Sequence, residues 1–162
     1  EIRATAPQTP VFRSVNRPFL FGVARAEQDL TIHMDRSVDA ENFGLLQRAR
    51  ILGFSGIARS AEFKRMITDM SGRLVDFLEF PDHYYYTAAD WRKIFTRAED
   101  LAVDYLVTTQ KDYARLQKGL KAPVDMVVIG IHMDFGPERD ALSGYIKRFL
   151  GFHPPGCQGG GS

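Results

Sequence analysis

Between Arg50 and Leu150 the chain alternates short apolar runs with amphipathic stretches, and this alternation limits the available folds more than any other feature. ILGFSGIA (51–58), RLVDFLEF (73–80), DYLVTT (104–109) and DMVVIGIHMDF (125–135) are strand-sized and rich in Val, Ile, Leu and Phe. The segments that follow them read as helices. SAEFKRMITDMSG (60–72) places Phe63, Met66, Ile67 and Met70 on one face, with Ser60 as N-cap and Gly72 as stop. TAADWRKIFTRAEDL (87–101) opens on Thr87 and Asp90, a capping box with Asp for Glu. QKDYARLQK (110–118) is a short helix closed by Gly119, and PERDALSGYIKRFL (137–150) has Pro137 in its first turn and Gly151 beyond its end. Strand and helix in strict turn imply a parallel sheet with right-handed crossovers and helices on both faces. The expected fold is a small, Rossmann-like α/β domain.

The residues before Arg50 break this rhythm. Pro7, Pro10 and Pro18 exclude a long helix and predict extended chain with turns. DLTIHM (29–34) alternates like an edge strand, and SVDAENFGLLQRA (37–49) holds a short helical turn. The division expected is therefore an irregular extension over 1–49, the α/β domain over 50–151 and a flexible tail over 152–162. The tail carries the one cysteine, Cys157, so no intrachain disulfide can form and an oxidising compartment is not required. Net charge is +1, which gives no global field for nucleic acid. No apolar run has transmembrane length.

In an open parallel sheet, ligands bind beyond the carboxyl ends of the strands. Those ends carry FSGIA (54–58), PDHYYY (81–86), TTQKD (108–112) and HMDFG (132–136). His83 could carry a proton with Asp82 orienting it, or the pair could simply close a turn. Lys111 could meet an anion at a helix start, or be an ordinary solvated lysine paired with Asp112. Ser55 and Gly56 could bring backbone N–H groups to a ligand, or the glycines could only permit close packing. Tyr84, Tyr85 and Tyr86 could line a sugar or lipid surface; alternatively two pack under the loop and one faces water. His132 and His33 read as strand residues, His153 as tail. The four histidines lack zinc-ligand spacing, so no metal site is expected. Nor does the sequence contain G-x-x-x-x-G-K-[ST], the loop that would hold ATP phosphates, or a G-x-S-x-G elbow. It shows no complete catalytic set.

FSGIA, FPDHYYYT and LVTTQKD, in that order, resemble the C-terminal half of the tetraacyldisaccharide 4'-kinases, whose patterns run F-S-G-I-A-x-P-x-x-F, F-P-D-H-H-x-Y-[ST] and L-[VL]-T-T-E-K-D. APQTPVFR resembles the segment leading into that half, and the likeness spans residues 2–150. The resemblance implies a two-part enzyme that phosphorylates a lipid A precursor disaccharide on the cytosolic face of the Gram-negative inner membrane, with peripheral membrane contact. It implies that ATP and magnesium bind the N-terminal half, whose P-loop this sequence does not contain, and that His83 pairs with a catalytic aspartate of that half. Asp82 would then hold the loop or the imidazole, and Lys111, Ser55, Tyr84 and Tyr86 would lie on the substrate side. This chain alone would bind no cofactor and be inactive. Three departures stand out: Tyr84 replaces the second histidine, Gln110 replaces the glutamate of T-E-K-D, and Arg59-Ser60 replaces a proline-containing helix start. The rival expectation is a stand-alone module that binds a sugar phosphate, a lipid head group or a protein through the same edge.

Overall fold

The computed structural model describes residues 10–29, 31–32, 43–71, 73–116 and 119–150. His33, Met34, Gly72, Gly151, His153 and Cys157 lie outside them. Two compact units are defined: Pro18–Ile131, and Glu1–Arg17 with His132–Ser162.

The elements follow the expected alternation. β2 (Ile51–Ser55), β3 (Leu74–Glu79), β4 (Tyr105–Thr109) and β5 (Asp125–Asp134) are joined through α1 (Ser60–Ser71), α2 (Ala88–Asp100) and α3 (Gln110–Tyr113), and α4 (Arg139–Phe149) follows β5. β1 (Val15–Ala24) precedes them, and the sheet order is β1-β5-β4-β2-β3. β2 is parallel to β3 and β4, and β4 is parallel to β5. Because side chains alternate along a strand, β2, β4 and β5 feed two cores. Leu52, Phe54, Leu106, Met126 and Val128 meet Trp91, Ile94 and Ala98 of α2. Ile51, Val107, Val127 and Ile129 meet Phe63 and Ile67 of α1. Helices therefore cover both faces, and Met66 and Met70 complete the apolar stripe of α1.

β1 departs from the expected irregular extension: ten residues of it form a full strand. The prolines exclude a long helix and predict extended chain; that extended chain is a strand, and Pro18, which cannot donate to a ladder, is tolerated because β1 is at the sheet edge. It runs antiparallel to β5. Arg25 Nη1 meets Asp125 Oδ2 at 2.7 Å, while Phe19, earlier in β1, lies against Gly130, later in β5. A Cβ at position 130 would collide with that ring. Of the expected strand at 29–34, the described residues show only an isolated antiparallel bridge, Asp29 to Lys121. The turn near Gly44 is a 3-10 helix, Gly44–Leu46. α3 ends at Tyr113, short of Lys118, and Gly119 takes φ +82°.

In the second unit, a 3-10 turn containing Pro137 (Gly136–Glu138) leads into α4. Phe12 packs on Tyr145 at 5.8 Å, and Tyr145 stacks on Phe149 at 6.2 Å. Asp134 accepts from Gly136 N–H and from Arg17 Nε, and these two bonds, in that order, hold its carboxyl below the usual range. Among the described residues, no helix is long and apolar enough to cross a membrane.

Candidate functional site

The strand order decides which loops can meet. β2 lies between β3 and β4, so the loop after β2 is flanked by the loops after both neighbours. FSGIA therefore sits between FPDHYYYT and TTQKD, and all three join at the backbone of one residue, Gly56. Its N–H donates to Asp112 Oδ1 at 3.0 Å. Its carbonyl accepts from His83 N–H at 3.1 Å and from Arg115 Nη1 at 3.3 Å. A Cβ here would lie 3.0 Å from Pro81 O, 3.0 Å from Tyr84 Cβ and 3.3 Å from Asp112 Oδ1. Glycine is needed because three chain segments converge on it. Gly56→Ala should lower stability by about 1–3 kcal/mol and shift the backbone amide resonance of His83. Unchanged thermal unfolding and an unchanged amide spectrum would show that the loops do not depend on this contact.

Asp112 anchors the junction from inside. Its carboxylate is fully buried, and besides Gly56 N–H it accepts the Thr109 hydroxyl at 2.7 Å. Thr109 in turn caps α3 by accepting from Asp112 N–H at 3.1 Å. Arg115 Nη1 lies 3.6 Å from Asp112 Oδ1. The expected Lys111–Asp112 pair is thus replaced by Arg115–Asp112, and Lys111 is exposed at the start of α3 without an ion-pair partner among the described residues.

The loop carrying His83 is built as a rigid shelf. Phe80 N–H donates to Ser55 C=O at 2.9 Å. Phe80, Tyr84 and Tyr86 pack ring on ring at 5.0–5.6 Å, and Tyr86 continues onto Phe54 and Trp91. Of the three tyrosines, Tyr84 and Tyr86 pack and Tyr85 faces water, 79% exposed. The Tyr84 hydroxyl donates to Asp90 Oδ2 at 3.1 Å. Asp90 also closes the capping box with Thr87. The Thr87 hydroxyl, more than any other group, holds the Asp90 carboxyl below its usual range, and the bond to Asp90 raises the Tyr84 phenol. Tyr84 thus ties the loop to the start of α2. Tyr86 is 6% exposed, and burial, then the charge of Asp112, pushes its phenol far above the ordinary range. Its hydroxyl, like the Thr108 hydroxyl and the Trp91 indole N–H, takes no hydrogen-bond partner among the described residues.

His83 is held at the rim in a left-handed conformation, φ +60°, with its side chain 80% exposed. Asp82 Oδ1 accepts His83 N–H at 2.9 Å, while Asp82 Oδ2 lies 3.8 Å from Nε2. Asp82 therefore holds the loop and also faces the ring. Arg115 Nη2 is 3.2 Å from Nδ1. Ser55 is buried, with its hydroxyl given to Ser60 Oγ at 2.9 Å; Ser60 is the first residue of α1 and donates to Ile57 C=O. Residues 132–136 belong to the other unit. Sequence reasoning missed Arg115, although its spacing of three from Asp112 on a helix start was a usable signal.

The Gly56 N–H that could have met a phosphate is bonded to Asp112, and that carboxylate is buried and fully engaged.

The family model for tetraacyldisaccharide-1-P 4'-kinase matches residues 5–150. A tetraacyldisaccharide 4'-kinase from Rhodospirillum centenum is 39% identical over 65% of this chain and 30% of its own length. That of Parvibaculum lavamentivorans is 32% identical over 70% of the chain and 27% of its length, and that of Syntrophus aciditrophicus 25% over 81% and 32%. The chain thus spans just under a third of the length of these curated relatives. A crystal structure of an apo form of LpxK from Aquifex aeolicus in complex with ATP is 19% identical, with a TM-score of 0.49, over 90% of this chain and 40% of that one.

Proposed function

The chain belongs to the tetraacyldisaccharide-1-P 4'-kinase family, and from that premise we propose that it is the part of such a kinase that presents His83 to an active site shared with a P-loop half. The observation that carries this reading is the junction at Gly56. Three loops are locked together there, and the group they hold out to solvent is a histidine in a conformation that disfavours any side chain. In this reading, phosphate passes from ATP to a hydroxyl of a lipid A precursor disaccharide. The P-loop half holds ATP and magnesium, and positioning and electrostatics supply most of the rate. His83 meets the reacting groups, Asp82 steadies its loop, and Lys111 offers a cation to the anionic substrate. Tyr84 and Tyr86 support the shelf from below, and Ser55 works within the fold. The chain alone is inactive. We place the enzyme at the cytosolic face of the inner membrane, and the exposed Ile146, Phe149 and Leu150 beside Lys147 suit peripheral contact there.

Calorimetric titration with magnesium-ATP tests the division of labour. A complete protein, this chain joined to a P-loop half, should bind saturably, and the isolated chain should give no saturable heat. Saturable binding by the isolated chain would overturn the proposal and favour a free-standing binding module.

A further inference from the structure

We infer that Arg115 is the positioning residue for His83, fixing the ring so that Nδ1 is the acceptor and Nε2 carries the proton. The inference rests on the proposed role of His83 and adds to it the residue that orients the imidazole and the nitrogen left to act. A guanidinium has donors only. With Arg115 Nη2 at 3.2 Å from Nδ1, that nitrogen must accept, and the proton of the neutral ring goes to Nε2. The same guanidinium spans the junction: Nη1 reaches the Gly56 carbonyl at 3.3 Å and Asp112 Oδ1 at 3.6 Å. Its side chain is 18% exposed and Asp112 is fully buried, so an exposed surface ring is tied through one planar fork to an internal charge. The far side of the ring faces Asp82, whose Oδ2 at 3.8 Å favours a protonated Nε2. The consequence is chemical. In this tautomer the imidazole presents its Nε2–H as a donor to an anionic oxygen, while its acceptor nitrogen is taken by Arg115.

Lysine would neutralise Asp112 equally well but cannot serve both ends of the fork. Arg115→Lys therefore separates positioning from charge balance. The measurement is the long-range 1H–15N spectrum of the histidine rings in this chain at about pH 8, where an ordinary histidine is neutral. In the wild type, His83 should show a proton-free Nδ1 and a protonated Nε2. In Arg115→Lys the two nitrogen signals should move toward each other as both tautomers become populated. In the complete protein the same variant should lower kcat by up to about 100-fold with KM unchanged. A wild-type proton on Nδ1 would overturn the inference without any variant, and so would identical His83 signals in the wild type and a folded Arg115→Lys. The expected spectra together with full activity in His83→Gly would uphold the positioning and overturn the proposed function instead.

Discussion

Replacing His83 by glycine in a complete two-part protein should lower phosphate transfer about 10²- to 10⁴-fold, the range for losing a positioned proton-transfer group, without lowering stability. The two effects separate because of the backbone. At φ +60° an L-residue carries a cost of about 1 kcal/mol that glycine does not. The greater freedom of glycine in the unfolded chain offsets part of that gain, about 0.5–1 kcal/mol. The imidazole itself is 80% exposed and contributes little burial. Net stability should stay level or rise slightly. His83→Ala is the companion variant: it keeps the backbone cost, loses the same chemistry and should be no more stable than the wild type. A residue held in place for packing would behave in the opposite way, with glycine costing stability and leaving transfer intact. Transfer assays and denaturant unfolding on the same preparations distinguish the two cases.

The largest effect on stability is expected at Asp112. Asp112→Ala removes the acceptor for Gly56 N–H and for the Thr109 hydroxyl, and leaves the guanidinium of Arg115 beside an apolar methyl. Removing one side of a buried charge pair costs about 3–5 kcal/mol. Asp112→Asn keeps an acceptor oxygen but loses the charge, and should cost about 1–3 kcal/mol. The order Asp, then Asn, then Ala in denaturant midpoint is the result that supports the anchor. If Ala and Asn were equal to the wild type, the junction would be held by aromatic packing alone. In Asp112→Ala the Gly56 loop loses its link to α3, so the resonances of His83 should also broaden.

The parts of the fold with a strong local period were legible in the sequence. β2 to β5 are apolar runs of strand length, and α1 and α2 show both their stripe and their starting signals. β1 was legible only as extended chain, since its prolines exclude a long helix, whereas joining the edge of a sheet is a property of the whole sheet. α3 was read too long because Ala114 to Lys118 have helical propensity, whereas the chain leaves the helix after Tyr113 and sends Arg115 back to Gly56 and His83. The same spacing, Thr then Asp three residues on, opens both α2 and α3. Recognised in TTQKD as it was in TAAD, it would have turned Asp112 inward and released Lys111 from the expected pair. The fate of the three tyrosines followed from the general behaviour of amphipathic rings, and two of the three are packed. The left-handed His83 and its bond to Arg115 could not be read, since Arg115 reaches partners 32 and 59 residues away.

The measurement that bears most directly on the account is phosphate transfer from ATP to a tetraacyldisaccharide 1-phosphate, followed in parallel with this chain alone and with a complete protein that joins it to a P-loop half. The expected result is no transfer above the uncatalysed background by the chain alone and turnover by the complete protein, lost when His83 is glycine. Turnover by the isolated chain, or full turnover by the complete protein without the imidazole, would contradict it.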